Sequence, residues 1–142
     1  MTENANLRIA ERDARYYIFD WDDNILHMPT HIYMERLTED GAWVPHTVST
    51  AAFSVIRGDT EHYRPANGDW EYACRDFRDV EVDSENIFLR DTRLAIDRMA
   101  AKGGVQAPSF VRFKQALIEG RLFAIVTARG HAPDVIRQGV EY

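Results

Sequence analysis

The residues of this chain whose types and spacing could do chemistry lie in two short stretches. In "YYIFDWDDNIL", Tyr16 to Leu26, an apolar run delivers Asp20, Asp22 and Asp23 within four positions. Carboxylates this close repel each other, which raises at least one pKa unless a cation neutralises them. The combination suits a hard, oxygen-seeking ion such as Mg²⁺, with one carboxyl group left to carry a proton. In "RLFAIVTARG" a second apolar run ends in Thr127, Ala128, Arg129 and Gly130. Arg129 is the type of side chain that grips a phosphate through two parallel hydrogen bonds.

Both stretches need elements that aim them. Tyr16 to Phe19 and Leu122 to Val126 are short continuous apolar runs rich in aromatic and β-branched residues, which predicts two strands buried on both faces. "PSFVRFKQALIEG" puts Phe110, Phe113 and Leu117 on one helical stripe and ends at Gly120, a left-handed cap position. After Gly130 another helix begins with Pro133 in its first turn, where a missing N–H costs nothing, and carries Val135, Ile136 and Val140 on its apolar side. Strand, crossover, helix, strand, loop and helix is the order of a parallel α/β sheet. In such sheets the ligand crevice lies beyond the carboxyl ends of the strands, so the two motifs converge if their strands are neighbours.

Between the motifs, "HIYMERL" and "AWVPHTV" flank "TEDG", whose Asp40-Gly41 pair predicts a hairpin, with Pro45 marking an edge strand. "TVSTAAFSVIRG" predicts a short helix capped by Ser49 or Thr50 and stopping at Gly58. From Arg57 to Glu85 nine acidic residues stand against four arginines, so this stretch holds five of the six net negative charges. It reads as a half-buried insertion with a solvated acidic face, or else as a specificity lid or partner surface. A helix over 92–102 follows, with Asp91 as its cap, Ala95, Ile96 and Met99 on one face and Gly103-Gly104 as its stop. Residues 1–15 read as a polar lead-in.

Composition narrows the function classes. With 142 residues and 45% hydrophobic content the chain matches one ordinary domain with a real core. A net charge of −6 argues against a general nucleic-acid binder, because phosphate backbones repel acidic faces. No apolar run approaches the roughly 20 residues a membrane helix needs, and the N-terminus lacks a secretory h-region. The expected location is therefore the cytoplasm. Cys74 is the single cysteine, which fits a reducing compartment and reads as a structural filler. His27, His31, His46, His62 and His131 show no zinc spacing. Two parallel strands do not make a stable doubly wound sheet, so residues 1–142 are expected to be the N-terminal part of a longer protein.

"IFDWDDNIL" resembles the first motif of the haloacid dehalogenase-like superfamily, hhhhDxDx[TV]hh, and "LFAIVTARG" resembles its second, an apolar strand ending in Thr or Ser. The resemblance implies a Rossmann-like parallel sheet with helices on both faces, and a flap hairpin with a small cap inserted after the first strand. The core would be 1–30 and 106–142, incomplete at its C-terminal end, and the insertion 31–105. It also implies a Mg²⁺-dependent phosphohydrolase acting on a small phosphorylated metabolite through an aspartyl-phosphate. Asp20 would be the nucleophile and Asp22 the general acid and base. Asp20 and the main-chain carbonyl of Asp22 would hold the metal. Thr127 would hydrogen-bond the phosphoryl oxygens, with main-chain N–H groups around Ala128 and Gly130. Asn24 stands where the family has Thr or Val and can still make the local hydrogen bonds. The third motif, a Lys or Arg, and the fourth, an acidic pair, have no convincing counterpart after Thr127. That leaves a second reading open: a phosphate- or partner-binding module that keeps the fold without turnover.

Overall fold

The computed structural model describes residues 16–142; the expected lead-in over 1–15 lies outside them. In chain order the elements are β1 (Tyr16–Phe19), β2 (Ile32–Leu37), β3 (Trp43–Val48), α1 (Thr50–Ile56), β4 (Tyr63–Pro65), α2 (Trp70–Ala73), β5 (Glu81–Val82), β6 (Glu85–Asn86), α3 (Ile87–Ala100), α4 (Phe110–Ile118), β7 (Leu122–Ile125) and α5 (Pro133–Glu141). The result is a mixed α/β structure with a small parallel sheet.

That sheet is the pair β1 and β7, side by side and parallel, with Tyr16 opposite Leu122 and Phe19 opposite Ile125. The pleat turns Tyr17, Phe19, Phe123 and Ile125 to one face, where they join the larger apolar cluster. Helices α3, α4 and α5 reach the same cluster through Phe88 and Ala95, Phe113 and Ala116, and Val135, Ile136 and Val140. The expectation of strands buried on both faces, with helices on both, is therefore corrected. Tyr16, Ile18, Leu122 and Val126 point the other way and remain 61–74% exposed, because all three helices of the cluster pack on the face opposite them.

The hairpin forms as its turn chemistry directs. Gly41 takes φ +80°, its N–H donates to the Thr38 carbonyl, and β3 with Pro45 is the edge of a three-stranded antiparallel sheet in the order β3-β2-β4. Ser49 caps α1, its hydroxyl accepting from the Ala52 N–H. Phe53 and Ile56 of α1 then cover Ile32, Met34 and Val48, with Tyr63, Cys74 and Phe77, in a second apolar cluster.

Helix α3 begins earlier than its sequence suggests. Asn86, not Asp91, is the cap, its side-chain oxygen accepting from the Phe88 N–H. Asp91 lies one turn inside the helix and is buried. Ala95, Ile96 and Met99 do share a face, and that face belongs to the larger cluster with α4 and α5. Gly120 closes α4 in the left-handed region at φ +62°, and Pro133 opens α5.

Candidate functional site

The β1–β7 register places both motifs at one end of the sheet. Val126 donates its N–H to the Phe19 carbonyl at 2.9 Å, so the chain leaves the last paired rung on both strands together. Asp20 follows immediately on one strand and Thr127 on the other. Asp20 is exposed and accepts the Trp21 N–H on Oδ1 at 2.8 Å. Trp21 turns inward, 1% exposed, against Phe88 and Phe113. This large apolar anchor between two aspartates fixes the strand end and leaves Asp20 facing out.

The loop after Trp21 is a tight one. The Ile25 and Leu26 N–H groups both donate to the Trp21 carbonyl, and Asp23 adopts φ +56°. The Asp23 carboxylate accepts from the Thr50 hydroxyl at 2.5 Å and meets His27 Nδ1 at 2.9 Å, so it ties the loop to α1. Asn24 offers its carbonyl to the Ser109 N–H at 2.8 Å, which anchors the start of α4 to the same loop.

Arg129 is where the structure departs most from the sequence reading. Its side chain is 1% exposed and clamps Asp22 at two points, Nε to Oδ2 at 2.8 Å and Nη2 to Oδ1 at 2.6 Å. Nη2 also donates to the Thr30 hydroxyl at 2.8 Å. The guanidinium carbon sits 4.6 Å from the Phe77 ring centroid and 5.4 Å from that of Phe88. A planar fork of donors matches one carboxylate edge, and two aromatic faces supply the low-dielectric wall. Arg129 is therefore buried rather than simply exposed, and its charge is directed at Asp22.

Gly130 is likewise committed elsewhere, since its N–H donates to the Phe77 carbonyl at 2.8 Å. Two residues on, the chain is held again, with the Ala132 N–H donating to Asp79 Oδ2 at 2.9 Å. That bond is the main reason the Asp79 carboxyl is held below its ordinary range. Thr127 accepts the Arg129 N–H on Oγ1 at 3.2 Å, leaving its hydroxyl proton able to point into the crevice, and Ala128 is exposed beside it. His131 is buried against Phe88, at 5.0 Å between ring centroids. Burial first, and the Arg129 guanidinium second, push its pKa below the usual histidine value.

Two partners of the site carry no sequence signal of their own. Thr30 and Asp91 are each 1% exposed, and the Thr30 hydroxyl donates to Asp91 Oδ2 at 2.7 Å. Their distance along the chain hides the contact, and Asp91 before an apolar helical stripe looks like a cap. Beyond Thr127 the groove widens into a mostly apolar cavity of about 560 Å³, lined by Phe123, Ile125, Val126, His131 and Ile136, a size that small ligands commonly fill.

For Mg²⁺ the donor set is small. The Asp22 carboxylate is occupied by Arg129, and among the described residues no group of three or more His, Cys, Asp or Glu side chains could hold a metal. The exposed Asp20 carboxylate supplies one oxygen of the hard type that Mg²⁺ takes. Among the described residues no helix is long and apolar enough to cross a membrane. No protein-family model, curated protein or solved structure matches the chain.

Proposed function

We propose that the crevice beyond β1 and β7 hydrolyses a phosphomonoester of a small metabolite, with Asp20 as nucleophile. The observation that carries this reading is the parallel pairing of Phe19 with Ile125, which brings an exposed carboxylate and a threonine hydroxyl to one strand end. An Asp20 oxygen attacks phosphorus as the bond to the leaving oxygen breaks, and that oxygen takes a proton from Asp22, whose carboxyl gives up one of its two Arg129 hydrogen bonds while it carries that proton. Water then attacks the aspartyl-phosphate, Asp22 accepts its proton, and the bond from phosphorus to Asp20 breaks. Splitting one displacement into two is what a carboxylate nucleophile contributes. Thr127 orients the phosphoryl group through its hydroxyl. Mg²⁺ held at Asp20 and the Asp22 carbonyl would screen the nucleophile from the phosphate charge.

Replacing Asp20 with Asn tests the reading with p-nitrophenyl phosphate as probe, with and without Mg²⁺. Loss of turnover with phosphate binding retained supports it, and unchanged turnover contradicts it. The clamp on Asp22 favours a second reading, a phosphate-binding module without turnover. Binding of phosphate by the native chain with no hydrolysis of any ester at any Mg²⁺ concentration would select that alternative.

A further inference from the structure

The Asp22–Arg129 pair does not end at Arg129. Thr30 Oγ1 accepts from Arg129 Nη2 at 2.8 Å and donates to Asp91 Oδ2 at 2.7 Å. The other Asp91 oxygen accepts from Arg90 twice, from Nε at 3.0 Å and Nη2 at 2.8 Å. The order is carboxylate, guanidinium, hydroxyl, carboxylate, guanidinium, with charges alternating along it. Thr30, Asp91 and Arg129 are 1–6% exposed.

Burying such a chain is costly compared with an apolar packing of the same volume, so it is weak evidence for stability and better evidence for fixed geometry. A hydroxyl that both donates and accepts is polarised by each neighbour, and buried networks of this kind hold one arrangement. Asp91 caps nothing and faces no solvent; its one visible effect outside its own helix is to claim the Thr30 proton. That leaves a Thr30 lone pair for Arg129 Nη2 and fixes the plane of the guanidinium. The plane in turn fixes both oxygens of Asp22.

We propose that Thr30 and Asp91 are positioning residues for Asp22, acting through Arg129. The kinetic part of this inference rests on the phosphohydrolase reading, in which Asp22 protonates the leaving oxygen. Thr30 lies two residues before β2, and Asp91 lies in α3, so the flap base and the helix together set the acid at the strand end.

The experiment compares the native chain with Thr30→Val, which removes both hydroxyl bonds at nearly equal volume, and Thr30→Ser, which restores them. Two esters are used: p-nitrophenyl phosphate, whose leaving group needs little protonation, and an alkyl phosphate, whose leaving group needs much. A misplaced acid lowers kcat on the alkyl ester by about tenfold or more, with KM little changed, and on the aryl ester by a much smaller factor. Thr30→Ser recovers the loss. A purely structural defect would lower both esters equally, and that result overturns the inference. In parallel, the Arg129 side-chain N–H resonances are followed by NMR. Protection from exchange in the native chain and in Thr30→Ser, and its loss in Thr30→Val, is the expected pattern; equal protection in all three overturns it. If the native chain hydrolyses neither ester, the phosphohydrolase reading fails and the NMR comparison alone decides the positioning role. Should Thr30→Val not fold by circular dichroism, Asp91→Asn is put through the same two measurements.

Discussion

Arg129 and Asp22, 107 residues apart in the chain, meet in a two-point ion pair whose arginine side chain is 1% exposed. The contact joins the loop after β7 to the loop after β1 and locks the two motif strands in register at the end where chemistry would occur.

Breaking this pair from one side leaves a mostly buried carboxylate without a partner. Arg129→Met is expected to destabilise the chain by about 3–5 kcal/mol, the range for removing one member of a buried pair. Urea unfolding followed by circular dichroism measures it. Arg129→Lys keeps the charge and loses the fork, so its midpoint should fall between those of the native chain and Arg129→Met.

In the packing of α5 on α3, Gly139 faces Phe88. A Cβ on Gly139 would stand 2.6 Å from Phe88 Cε1, and that ring is 0% exposed. Gly139→Ala should therefore destabilise by about 1–3 kcal/mol through overpacking, despite alanine's better helix propensity. The thermal midpoint is the readout, and a rise in it would show that the ring can move.

The pH dependence of stability has an identifiable contributor in His131. Its folded pKa lies below its unfolded value, which is about 6.5 in model peptides. Between the two values the unfolded chain binds the extra proton, so this contribution is fully present above about 6.5 and is lost as the pH falls towards the folded pKa. Denaturant midpoints at several pH values from neutral to mildly acidic should fall with acid in the native chain and fall less in His131→Gln. Parallel profiles for the two proteins would assign the acid sensitivity elsewhere.

Elements built from local rules were legible in the sequence. The Asp40-Gly41 turn, the Ser49 cap, the Gly120 stop and the Pro133 start each follow from chemistry within a few residues. The parallel α/β order was legible from the strand and crossover pattern; that β1 and β7 are direct neighbours was not, because strand order along the chain does not say which strands pair. The place of Asp91 inside α3 is hidden because an acidic residue before an apolar stripe has the same local pattern whether it caps a helix or lies inside one; Thr30, far away in the chain, makes the difference. The burial of Arg129 is hidden for a related reason. Its loop position does not reveal its burial, because its partner Asp22 and its aromatic walls, Phe77 and Phe88, come from three separate segments. The one-sided burial of β1 and β7 was hidden because an apolar run does not say which of its faces is covered.

The most direct test of the central claim is to look for the covalent intermediate. The native chain is mixed with a reactive phosphomonoester and Mg²⁺, quenched in acid within a turnover, digested and examined by mass spectrometry. The account predicts the mass of one phosphoryl group on the peptide carrying Asp20, labile to hydroxylamine and missing in Asp20→Asn. Ester hydrolysis with no phosphoryl group on Asp20, or with the label on another residue, would contradict it.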